Sequence, residues 1–144
     1  GVFKFKMIKD IFNKTEDSNN KDDLIKISSL LIYAAKIDEN YSDKEKNIIR
    51  NFLNSINANI NSDEIIKLAE KEEQNSNQIL NFTQEIKKNS LDFKKKIIET
   101  LWQIILSDEK ADMYEATLMR RISGLLYLPD KLIGEIKLKV LKNK

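Results

Sequence analysis

The chain has 144 residues, with 25 lysines and arginines against 23 aspartates and glutamates, for a formal net charge of +2. A length of this order suits one domain with a real core, and near neutrality offers no broad basic field for nucleic acid. With no cysteine, no histidine, three glycines and one proline, the composition excludes disulfides and thiolate or imidazole metal sites. It also removes the commonest general base and leaves too few turn-formers for a β-rich fold. Lysine over arginine, with abundant isoleucine and asparagine, reads as the bias of an AT-rich genome.

Residues 2–13 carry an apolar helical stripe of Phe3, Met7, Ile8, Ile11 and Phe12, with Lys4, Lys6 and Lys9 mostly off it. A polar loop follows, and a second helix starts at Asp22 or Asp23 with the stripe Leu24, Ile27, Leu31, Ala34 and Ala35, stopping near Asp38. Ser42 then reads as an N-cap with Glu45 as its capping-box partner, opening a helix that bears Ile48, Ile49, Phe52 and Leu53. A fourth helix runs from Asn61 to about Glu73, and a fifth from about Asn77 to Lys88. Ser90 caps a sixth with the stripe Ile97, Ile98, Leu101, Ile104 and Ile105, and Asp112 caps a seventh bearing Leu118, Met119, Ile122, Leu125 and Leu126. Pro129 occupies the first turn of the eighth, a position proline tolerates. The longest apolar run, residues 30–35, falls far short of the ~20 residues a membrane span needs.

An internal repeat organises these elements. Residues 31–53 lie on residues 101–123 at a constant offset of 70, with five identities in 23 positions. Caps, helix ends and stripes match as well (Ser42 with Asp112, Ile49 with Met119, Phe52 with Ile122), and a two-residue slip lays Ile60 onward on Leu128 onward. The expected fold is all-α, a compact bundle of seven or eight helices built from two pseudo-equivalent helix–turn–helix halves, residues 22–73 and 90–142, preceded by an amphipathic helix and loop over residues 1–21.

The two acidic turns, residues 37–45 (IDENYSDKE) and 107–115 (SDEKADMYE), resemble those of the TerB-like family of tellurite-resistance proteins. That family in turn resembles the N-terminal domain of membrane-anchored J-domain co-chaperones. Its pattern is a helix, an acidic turn of Asp-Gly type, then a polar cap and a glutamate. Here Glu39 and Glu109 stand where the family has glycine. The resemblance covers residues 24–141. It implies a helical bundle of two similar halves over residues 22–144, an acidic surface that binds metal ions, and a role in stress-related complexes near the inner membrane.

Asp38 and Asp108 each continue a core-facing row to a helix C-terminus, the disfavoured end for a carboxylate by ~0.3–1 kcal/mol. Three arrangements answer this. The next helix N-terminus accepts the carboxylate as a cap, worth about 1 kcal/mol; Arg50 and Arg120 pair with it; or a hard cation is held by Asp38, Glu39 and Glu45, and by Asp108, Glu109, Asp112 and Glu115. Calcium or magnesium is the cofactor such oxygen ligands suit, and an EF-hand is excluded because its twelfth position falls on Ile49 or Met119. No catalytic residue is expected, since a triad needs histidine or cysteine. The basic N-terminal face of Phe3, Lys4, Lys6 and Lys9 either packs on the bundle or meets an anionic membrane or a partner. The functional expectation is a non-enzymatic binding or scaffold module of the bacterial cytoplasm, with a protein partner and no nucleic acid. The alternatives are a co-chaperone-like domain docking a partner in an apolar groove and a peripheral membrane adaptor.

Overall fold

The middle of the helix α1 (Lys21–Lys36) is enclosed by its neighbours. Residues 27–32 are consecutive and fully buried, and a helix apolar on one stripe only cannot achieve that; it needs partners all round. The computed structural model describes residues 21–37, 41–75, 79–107 and 113–143, with side chains throughout except at 113–115. Over those residues it contains seven helices and no strand: α1, α2 (Asp43–Ile56), α3 (Ser62–Asn75), α4 (Ile79–Ile86), α5 (Leu91–Ile105), α6 (Met113–Leu125) and α7 (Asp130–Lys142). The amphipathic helix expected over residues 2–13 lies outside the described residues. α1 touches α2, α3, α4 and α5, so Ser28, Ser29, Leu30 and Ile32 join the five residues of its expected stripe in the core.

The closest partner of α1 is α3, and small residues permit the approach. Ser29 Oγ donates to the carbonyls of Ile25 at 2.7 Å and Ala69 at 3.3 Å, tying the two helices together. Lys21–Glu64 at 2.5 Å, Lys36–Glu73 at 2.8 Å and Lys26–Glu72 line the seam. These pairs keep solvent access, so each contributes at most about 1 kcal/mol.

Capping residues set the helix ends. Ser42 and Glu45 form the expected capping box at the start of α2, and Ser90 Oγ accepts from Phe93 N–H at 3.2 Å at the start of α5. Asn89 Nδ2 donates to the carbonyls of Glu85 and Ile86, which stops α4 before Lys88. Pro129 is the N-cap of α7, one position ahead of the first turn where the sequence reading puts it. Its missing N–H costs nothing there either, and its carbonyl accepts from Leu132 and Ile133.

α6 ends in a Schellman cap: Leu128 N–H donates to Ser123 O at 2.8 Å and Tyr127 N–H to Gly124 O at 3.3 Å. The residue at the turn, Tyr127, has φ 58°. Glycine usually fills that left-handed position; a side chain there costs about 1–2 kcal/mol.

The starts of α5, α6 and α7 fall where those of α1, α2 and α3 fall when shifted by 70, 70 and 68 residues, and their ends agree to within one residue. α4 has no counterpart and touches α1 and α6. As α1 pairs with α3, so α5 pairs with α7, where buried Trp102 donates from Nε1 to Ile133 O at 3.1 Å and Lys137 Nζ sits 5.1 Å from the ring centroid. Leu31, Ile49 and Leu101 are fully buried and Ile105 nearly so. Leu101→Ala is therefore expected to cost about 2–5 kcal/mol in urea unfolding; a loss under about half a kcal/mol would show that the site collapses around the truncation.

Candidate functional site

Two surface features gather polar groups. The first is an acidic corner where the α1–α2 turn meets the C-terminal half of α3. Tyr41 sits half-buried just ahead of α2, its hydroxyl sealed from solvent and without a hydrogen-bond partner among the described residues. Burial raises its pKa above the ordinary phenol range; Glu70 and Glu45 push the same way, Arg50 opposes, and Glu73 adds to the rise. Lys46 lies 5.5 Å from the ring centroid and 3.4 Å from Glu70, while Lys36 holds Glu73. Glu45 is only 5% exposed, and its Oε1 accepts from Ser42 N–H at 3.0 Å and from Ser42 Oγ at 2.8 Å.

Of the residues expected to hold a cation, Asp38, Glu39, Asp108, Glu109 and Asp112 lie outside the described residues. Glu115 is placed on the first turn of α6 by its backbone alone. Phe3, Lys4, Lys6 and Lys9 also lie outside. Among the described residues no three carboxylates converge closely enough for a metal ion. Arg50 engages Asp63 through Nη2 at 2.8 Å and Nε at 2.9 Å, and also Asn47. The corner adds Tyr41, Glu70 and Glu73, which sequence reasoning missed. An aromatic residue beside a capping box was the available signal; the glutamates read only as a solvated helix face.

The α3 part of the corner is not repeated among the described residues. Shifted by 68, Glu70 and Glu73 correspond to Leu138 and Leu141 on α7, which are 66% and 43% exposed.

The second feature is a groove between α2 and α5. Two cavities of about 300 and 250 Å³ share Ile48, Glu99 and Gln103, so they form one continuous depression. Phe52 and Thr100 line one end, Leu106 and Val140 the other. Lys44 Nζ donates across that second end to Ser107 O at 3.2 Å, and Lys139 reaches Glu99 at 3.5 Å. The floor is apolar and the walls carry both signs of charge, an arrangement suited to recognising another chain.

The family described as "Tellurite resistance protein TerB" matches residues 24–138 of this chain. The chain belongs to the TerB family. Both the acidic corner and the α2–α5 groove fall within the TerB match, apart from the tip of the groove at Val140 and Asn143. No curated protein and no solved structure matches the chain. No described helix of this TerB domain is long and apolar enough to cross a membrane.

Tyr41 generates a prediction with a defined sign. A phenol whose folded pKa lies above its unfolded value of about 10 supports the fold fully below that pH, and the support is lost as pH climbs toward the folded value. Tyr41→Phe is therefore expected to flatten the alkaline fall in stability. At neutral pH it should stabilise by about 1 kcal/mol, because it removes an orphaned hydroxyl. Urea unfolding at neutral and alkaline pH checks both; a neutral-pH loss would reveal a hydrogen bond to that hydroxyl.

Proposed function

We propose that this TerB domain is a non-catalytic binding module that receives a helical segment of a partner protein in the α2–α5 groove. The continuity of that groove is the observation that carries the reading. Along α2 its lining runs from Lys44 to Ser55, roughly 17 Å at 1.5 Å per residue, which suits a partner helix of about three turns. Ile48, half-buried on the rim, offers apolar contact, while Lys96, Glu99 and Gln103 offer register. The family's name adds the proposal that the module serves tellurite resistance or a wider stress response in a bacterial cytoplasm. A photo-crosslinking residue at Gln103 is expected to trap a partner in cells, whereas the same residue at the exposed Leu80 of α4 does not, and chelators leave the capture unchanged. Equal capture from both positions would sink the reading.

A second reading rests on Tyr41, three residues after Asp38 in the chain: three glutamates act on its buried hydroxyl. In this reading the turn supplies oxygen ligands for calcium or magnesium, and Glu70 and Glu73 enrich the local negative field. The described carboxylates are already engaged by Ser42, Lys46 and Lys36, so the turn itself must provide the ligands. Millimolar calcium is then expected to raise the wild-type melting temperature by several degrees and leave an Asp38→Asn, Asp108→Asn double variant unmoved. If the two proteins respond alike, the aspartates are caps, because asparagine still accepts hydrogen bonds.

A further inference from the structure

Tyr127 spends backbone strain on an exposed ring. Its left-handed φ is the sole positive value at a non-glycine residue among the described positions, and its side chain is 77% exposed. Strained positions persist where the surroundings or a function impose them. Here the cap of α6 imposes the backbone, and the ring gains little from its own fold: Lys87 Nζ stands 5.7 Å from its centroid. Around it, Lys94 Nζ donates to Leu126 O at 3.3 Å, and Leu91, 52% exposed, lies one helical turn before Lys94 on α5. Lys88 takes up Glu85, leaving Lys87 and Lys94 by their contacts, and Arg121 and Lys131 by their places within six residues of Tyr127 along the chain, against Asp92 and Asp130.

We infer that this patch is a docking surface for an anionic lipid bilayer. Two side chains with large apolar surface, Tyr127 and Leu91, stand out from the surface, and neither lines the α2–α5 groove. Tyrosine belongs at the interface of a membrane, its ring among the headgroups and its hydroxyl wet. The surrounding excess of lysine and arginine complements anionic headgroups. The rigid cap presents the ring outward before contact, so little ordering is needed on binding. The surface lies apart from the α2–α5 groove and does not depend on it.

The test is sedimentation of the full chain with phosphatidylcholine vesicles that contain or lack phosphatidylglycerol. Binding is expected only with phosphatidylglycerol and should weaken with salt. Lys87→Gln should lower the partition coefficient about fivefold, the equivalent of about 1 kcal/mol per lysine at an anionic surface. Tyr127→Gly should lower it at least as much while keeping or raising the urea midpoint, since glycine relieves the strained φ. Leu138→Ser, about two turns along α7 from Lys131, should bind as wild type. The inference is overturned if wild type ignores both vesicles, or if Tyr127→Gly and Lys87→Gln bind like wild type, which would assign binding to another part of the chain. It is equally overturned if Tyr127-dependent binding goes to polyglutamate and not to vesicles, which would make the surface a reader of acidic peptides.

Discussion

The structure depends on the middle of one helix, residues 27–32 of α1, being buried from every direction. α1 meets α2, α3, α4 and α5, and its run of fully buried residues from Ile27 to Ile32 includes two serines. Serine at those positions reduces the bulk that four neighbours must accommodate, and Ser29 turns its hydroxyl into a bridge to Ala69. The other helices are then placed by their contacts with α1 or with one another. α4 spans from α1 to α6, and α7 reaches the centre through α5. A change in α1 therefore disturbs neighbours from both the first and the second half of the chain at once, whereas a change on the outer face of α7 disturbs little.

The helices were legible because local chemistry punctuates them. Ser42 with Glu45, Ser90 and Pro129 mark starts within a residue of where they occur, and the period-3.6 stripes identify most of the core. The enclosure of α1 was not legible, because serines at 28 and 29 interrupt the apolar pattern and only tertiary contact explains their burial. The Schellman cap at Tyr127 was hidden for a related reason: the residue that signals such a turn, glycine, is absent from it.

The candidate site was less readable than the fold. Glu45 was identified from its spacing to Ser42, and the structure shows that spacing to be a capping box. Tyr41 meets Glu70 and Glu73 across about thirty residues of chain, a separation at which sequence periodicity carries no information. The groove likewise joins Ile48 to Gln103 through the packing of α2 on α5. Local signals thus announced the helix ends, while the corner and the groove come from helices meeting.

Replacement of Glu70 and Glu73 by Leu138 and Leu141 at the matching places bears on valency. A chain with two equivalent corners would take up a small ligand twice, with symmetric or cooperative occupancy. Here the two glutamates that α3 sets beside Tyr41 have leucines in their places on α7, so a ligand drawn by that pair finds no equivalent pair on α7. The matching faces of α3 and α7 are therefore chemically distinguishable to anything that approaches them.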